Sequence, residues 1–174
     1  MGMVPDVKHQ ERLFTIDTTK EQAVDVSSVM PGVTSIPLFL DPENGIWVVY
    51  STFQPGTVLP THFHTGTVHF YTTQGCWHYR EYPADVQTAG CYLYEPGGAI
   101  HTFVVPEDAT EPAAGFMVVY GANVNFDENG NFLNIMDAGM IERTTNQVAA
   151  QNGLNPLRYI KPRGGAEFST GACA

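Results

Sequence analysis

"GTVLPTHFHTGTVHFYTTQG", residues 56–75, and "GCYLYEPGGAIH", residues 90–101, are the two stretches on which the fold reading turns. In the first, Gly56 is followed by five residues and then His62-x-His64, with Gly75 where the next turn must come. In the second, Gly90 is followed by five residues, Pro96-x-Gly98, two residues and His101. Side chains two apart on a strand point to one side, so His62 and His64 present two imidazoles about one pleat apart. That suits two neighbouring sites on one metal ion.

Outward from these frames, strand signals run from about Gly32 to Gly121. "GIWVVYSTF", "TVHFYTTQ", "CWHYREY", "GCYLYE", "IHTFVVP" and "GFMVVYG" are short and rich in aromatic or β-branched residues. "DPENG", "QPG", "TQG", "YPADVQTAG" and "EPGG" supply the turn chemistry between them, and regular short strands of this kind make a sandwich or barrel. After Gly121 the spacing predicts a hairpin with Asn129-Gly130 at its tip and a strand "FLNIM". A helix over "AGMIERTTNQVAAQN" follows, capped by Asp137 and stopped by Gly153 and Pro156. The small, polar tail "RGGAEFSTGACA" is expected to be loosely held. The expected plan is an extension over 1–36 with strands of its own, a barrel over 37–136, and a helix and tail over 137–174.

Composition narrows the partners. A chain of 174 residues can bury one real core, and a formal charge of −10 repels phosphate backbones and anionic lipid, so neither nucleic acid nor a membrane is expected. No apolar run approaches the roughly twenty residues of a membrane helix. Cys76, Cys91 and Cys173 are odd in number, lack CxxC spacing and follow no signal segment, which points to a reducing, cytoplasmic setting. Barrel edges and the apolar stretch "VTSIPLFL" point to edge pairing into a homodimer or homotetramer.

The two frames together resemble the paired motifs of the cupin superfamily, matched in spacing and residue type over Gly56 to Val105. The resemblance implies an all-β fold, a small jelly-roll barrel, with the short helix after it. It also implies that His62, His64 and His101 meet inside the barrel on one metal. The sequence departs from the cupin pattern where a Glu is expected after the second histidine, since Val68 and His69 stand there, and Val105 replaces an Asn. A three-His site is the simpler reading. His69 stands as a fourth ligand, a residue bonded to a ligand, or a filled core position.

"HTGTVHFYTTQGCWHYREY", "AGCYLYEPGGAIHTF" and "VVYGANVNFDENGNFLNIMDAGMIE" extend the likeness to the cupin dioxygenases that cleave carbon–carbon bonds of ketones, those acting on acetylacetone and on 2,4'-dihydroxyacetophenone. ChrR-like sensory cupins share much of these motifs. The likeness implies Fe(II), with Zn, Mn or Ni as other occupants, and a small ketone and O2 as substrates. Three neutral imidazoles leave the full charge on a divalent ion, which favours an anionic chelator such as an enolised diketone or hydroxyketone. Zinc has no redox chemistry, whereas iron can exchange electrons with such a substrate and oxygen.

Glu95, six residues ahead of His101, is placed by the turn near the barrel mouth, where a desolvated carboxylate is a candidate base. Arg80 matches an arginine of the acetylacetone-cleaving family in position and is the second catalytic candidate, to orient Glu95 or hold the substrate oxygen. Phe70, Tyr92, Trp77 and His78 are candidate pocket residues, with Phe63, Tyr79, Tyr94 and Phe103 beside them, although barrel cores hold such residues anyway. Cys91 reads as a small buried hydrophobe, and His9 falls in no frame. The leading function is a ring-external carbon–carbon bond-cleaving dioxygenase. The alternatives are a ChrR-like metal sensor without catalysis and a sugar isomerase. The sensor expects a zinc-binding module with Cys ligands, and residues 1–55 hold no cysteine. The isomerase needs Lys and Arg near the metal, and only Arg80 lies between the motifs.

Overall fold

The structure, a computed structural model, describes residues 13–162. In chain order these form β1 (Val24–Asp25), β2 (Val33–Asp41), β3 (Ile46–Phe53), β4 (Thr61–His64), β5 (Val68–Gln74), β6 (Cys76–Tyr79), β7 (Tyr82–Thr88), β8 (Tyr92–Glu95), β9 (Phe103–Val104), β10 (Ala113–Tyr120), β11 (Asn123–Phe126), β12 (Phe132–Met136) and helix α1 (Ala138–Gln151). The expected tail over 163–174, Cys173 and His9 lie outside the described residues.

Period-two alternation sets the layers. In β3, Trp47, Val49, Ser51 and Phe53 are buried while Ile46, Val48, Tyr50 and Thr52 are half-exposed, so one face seeks a core. Six antiparallel strands in the order β1-β2-β3-β10-β5-β8 make one layer. The facing layer is built from two ribbons, β12-β11-β4 and β7-β6-β9, stitched by isolated pairs at His62↔His101 and Val58↔Val104. Phe53 meets Phe103 at 4.5 Å between ring centres and Phe70 meets Trp77 at 5.0 Å, which bonds the layers through aromatic packing. This is the expected all-β jelly-roll architecture with one C-terminal helix. Sheet pairing begins at Val24, and β2 runs through the expected boundary at 37, because Val33, Ser35 and Ile36 already face buried surroundings.

Turn chemistry behaves as the residue types demand. Asp41 accepts from the Asn44 backbone at 3.1 Å and from its amide at 2.8 Å, folding the β2–β3 hairpin. Asp127 accepts from the backbones of Asn129 and Asn131 at 2.9 and 2.8 Å, which closes the β11–β12 turn at Gly130. Helix α1 starts at Asp137, whose carboxylate accepts from the Met140 backbone at 2.7 Å. Its buried residues Ala138, Ile141, Thr145, Val148 and Ala149 fall on one helical stripe that packs with Val24, Val26, Leu40 and Trp47. The chain then returns along β2, where Ile160 pairs with Phe39 at the strand's irregularity.

Because one carboxylate satisfies a helix-end amide, Asp137→Ala should cost about 1 kcal/mol, with Asp137→Asn close to wild type. Urea unfolding followed by circular dichroism checks this, and an unchanged midpoint in Asp137→Ala would show that packing alone holds the helix.

Candidate metal centre

Strand β4 alternates so that His62 and His64 turn inward and Thr61 and Phe63 turn away. His62 donates its backbone N–H to the His101 carbonyl at 3.0 Å and accepts from the His101 N–H at 2.9 Å, so the two residues are a hydrogen-bonded antiparallel pair. Gly98, at φ +83°, donates to the His64 carbonyl at 2.8 Å, a turn that a side chain would strain. The result is three buried histidines whose ligand nitrogens lie within 4.8 Å of one another.

The ring orientations are set from behind. His62 Nδ1 donates to the Pro60 carbonyl at 2.7 Å, which leaves Nε2 with its lone pair. His101 is bonded to the Ala99 backbone in the same sense. His64 meets the side chain of its cross-strand partner Asn123, in a contact looser than a full hydrogen bond. On the outer side, Glu81 accepts from the Thr102 backbone at 2.8 Å and from its hydroxyl at 2.9 Å, and Thr102 pairs with Thr61 at 2.8 Å. The residues next to His62 and His101 are thereby tied together.

Burial holds the imidazoles neutral. His64 is pushed down to about 3 by desolvation and then by the neighbouring His62 and His101. His101 is pushed down to about 4, by desolvation first and His62 second, against the attraction of Glu81. His62 is lowered by desolvation as well. At neutral pH all three can therefore bind a cation without first losing a proton.

Glu95 completes the arrangement. Its Oε2 lies 3.3 Å from Nε2 of both His64 and His101, and its Oε1 accepts the Tyr79 hydroxyl. Desolvation raises its carboxyl to about 7, opposed by the Tyr79 bond. Glu95 is the register partner of Val68, the position where a carboxylate was missed, so the neighbouring strand supplies the acid. Among the described residues, Glu95 Oε2 and His101 Nε2 are buried without a hydrogen-bond partner. Donors about 2.0–2.2 Å from one ion stand roughly 3 Å apart, so these orphaned atoms fit a divalent cation. The three buried histidines could hold a metal, and imidazole with carboxylate suits a first-row divalent ion.

Several expected site residues lie elsewhere. His69 is on the outer face, because Val68 and Phe70 take the inward positions of β5, and its Nδ1 is 2.6 Å from the Tyr92 hydroxyl. That placement sets it apart from the cluster of His62, His64 and His101. Tyr92 and Tyr94 are 62% and 54% exposed, since Leu93 and Glu95 are the more buried residues of β8. Trp77 is in the core, bonded to Thr72 at 2.9 Å and stacked on Phe103, and it does not line the cavity. His78 bonds the Tyr79 carbonyl at 3.0 Å, also away from the cavity. Arg80 is exposed, and the group on Glu95 is Tyr79, one residue earlier and pointing in. Phe63 stacks on Phe126. Cys91 is half-buried rather than fully buried, with its sulfur 3.4 Å from the Thr88 amide. Phe70, Tyr79 and Phe103 do line the cavity. Asn123 and Glu81 escaped the sequence reading because neither belongs to a glycine frame; only strand pairing reveals them.

The cavity beside His62, His64 and Glu95 has a volume of about 140 Å³ and is lined mainly by apolar side chains. An apolar cavity of about 150 Å³ accepts a benzene ring. Exposed Val29 and Asn134 mark where it reaches solvent, and no Lys or Arg lines it among the described residues.

Replacing His62, His64 or His101 by Ala should strip most bound metal, as read by elemental analysis after dialysis. His69→Ala should keep full metal content, and Asn123→Ala should weaken affinity about 10 to 100-fold. Near-stoichiometric metal in all three ligand variants would sink the assignment. For the metal-free protein, the lowered histidines give a signed expectation. Between pH 6.5 and about 4 the unfolded chain takes up protons that folded His64 and His101 refuse, so their contribution to stability is lost as pH falls. Glu95, raised to about 7, acts oppositely, losing its contribution as pH rises from about 4.5 to 7. Thermal melts in chelator should show a shallower acid-side loss in His64→Gln than in wild type.

No curated protein matches the chain. A protein of unknown function with a cupin-like fold from Ralstonia eutropha is 44% identical, with 94% of this chain and 100% of that one covered, at a TM-score of 0.86. An acetylacetone dioxygenase from Acinetobacter johnsonii shares the fold at 19% identity, with 85% and 99% covered and a TM-score of 0.68. A putative acetylacetone dioxygenase from Methylibium petroleiphilum does so at 17%, with 79% and 97% covered and a TM-score of 0.68. Residues 11–122 match the ChrR cupin-like domain, a span that contains all three histidines and Glu95. The chain belongs to the ChrR cupin-like family.

Proposed function

We propose that the protein is a non-haem Fe(II) dioxygenase that cleaves a carbon–carbon bond of a small hydroxyketone or β-diketone with O2. The observation that carries this reading is the buried three-His cluster, faced by one carboxylate and opening on an apolar cavity the size of a single ring. Among the described residues no Lys or Arg lines the cavity, which disfavours a phosphorylated sugar. Iron held by His62, His64 and His101 would supply electron exchange between a chelating enolate and dioxygen.

The side chains of the protein do the rest. A ketone becomes a chelating enolate only by losing a proton from the carbon beside its carbonyl, and Glu95 is the carboxylate at the triad that can take it. Tyr79, bonded to Oε1, leaves Oε2 directed at the histidines. The apolar walls exclude water, and His62 and His101 have their rings held by backbone carbonyls from behind. The balance is a ketone plus O2 giving two carboxylic acids from a 2-hydroxyketone, or an acid and a dicarbonyl fragment from a β-diketone. Both oxygen atoms enter the products.

Anaerobic iron loading followed by an oxygen-electrode screen of β-diketones and 2-hydroxyacetophenones tests the reading. Oxygen uptake equal to ketone loss is expected, with label from ¹⁸O₂ in both products. No uptake with any of them would overturn it in favour of a metal-binding regulator. Glu95→Gln should keep iron and lose about 10² to 10⁴ in turnover. Loss of the metal in that variant would instead make Glu95 a fourth ligand.

A further inference from the structure

The inward row of β3 is Trp47, Val49, Ser51 and Phe53, and β2 turns Val33 and Ser35 inward beside it. Ser35 and Ser51 are register partners, 7% and 5% exposed, with their hydroxyls 3.1 Å apart. Both line the cavity that contains His62, His64 and Glu95, from the opposite layer to the two β4 histidines. Packed sheets lie about 10 Å apart, a span that one substituted ring bridges.

Two buried hydroxyls in an apolar row cost more than two valines unless something uses them. One bond between them occupies one of two protons, and neither hydroxyl makes another hydrogen bond among the described residues. On the same cavity Thr145 donates to the Ile141 carbonyl at 2.7 Å and the Asn125 amide donates to Asn134 at 2.8 Å, while the buried polar atoms left without a partner among the described residues, His64 Nδ1, Glu95 Oε2 and Asn123 Oδ1, lie at the histidine end. The serine pair therefore offers a donor and spare lone pairs to whatever fills the cavity.

We infer that Ser35 and Ser51 form a recognition site for a hydroxyl or carbonyl oxygen at the ligand end remote from the histidines. The ligand class is then a single-ring ketone with a second oxygen opposite its chelating group. The inference deepens the ketone reading and rests on it for the chelating end. The serine contact itself needs no turnover.

The test compares acetophenone with 4'-hydroxyacetophenone by calorimetric titration of zinc-loaded protein, since zinc keeps oxidation out of the measurement. Wild type should bind the hydroxylated probe about 3 to 10-fold more tightly. In Ser35→Ala, Ser51→Ala and the double variant that ratio should fall to about 1. The double variant should melt no lower than wild type, because removing both members of a buried pair is near neutral. Equal binding of the probes by wild type, binding of neither, an unchanged ratio in the variants, or a large loss of melting temperature in the double variant each overturns the inference. Oxygen uptake by iron-loaded protein is scored separately, and its failure would reject the dioxygenase while the probe ratio stood.

Discussion

Two backbone hydrogen bonds exchanged between His62 and His101 hold the candidate site together. They join residues from two separate glycine frames, stitch the β4 ribbon to the segment entering β9, and fix both imidazoles on one side of the layer. Everything nearer the cavity follows from that pair. His64 is carried in by the two-residue period of β4, and Glu95 arrives because the turn through Gly98 must reach back to the His64 carbonyl. The outer clamp of Glu81, Thr102 and Thr61 reinforces the same junction from the solvent side.

The electrostatics are consistent with this construction. Three imidazoles kept neutral by burial and one carboxylate raised by the same cause are groups waiting for a positive charge. Glu95 Oε2 and His101 Nε2, without partners among the described residues, cost stability in the metal-free chain, and a divalent ion at the histidines would take up His101 Nε2 and attract the carboxylate beside it. The site is thus coupled to folding through desolvation as well as through geometry.

The glycine frames made the three histidines and the all-β plan legible, because their spacing encodes turn positions and strand parity directly. Helix α1 was legible through Asp137 and Gly153, where capping chemistry is local. Parity also explains the errors. His69, Tyr92 and Tyr94 belong to aromatic-rich strands, and only the register between β5 and β8 reveals that Val68 and Glu95 face inward while those rings face out. Arg80 carries the charge that the sequence offers to Glu95, but it is exposed and the inward position falls to Tyr79. Asn123 and the Ser35–Ser51 pair depend on contacts between segments distant in sequence, and no local pattern carries them.

Helix α1 and the β11–β12 hairpin give the cavity a wall that lies later in the chain than the three histidines and Glu95. The histidines and Glu95 lie within the segment 11–122 that defines the family, whereas Asn134, Met140, Ile141 and Thr144 come after it. Substitutions along that later wall reshape the chamber without disturbing the pairing of His62 with His101. The side of the chamber that could hold a metal and the wall opposite that shapes it are therefore encoded by separate stretches of the chain.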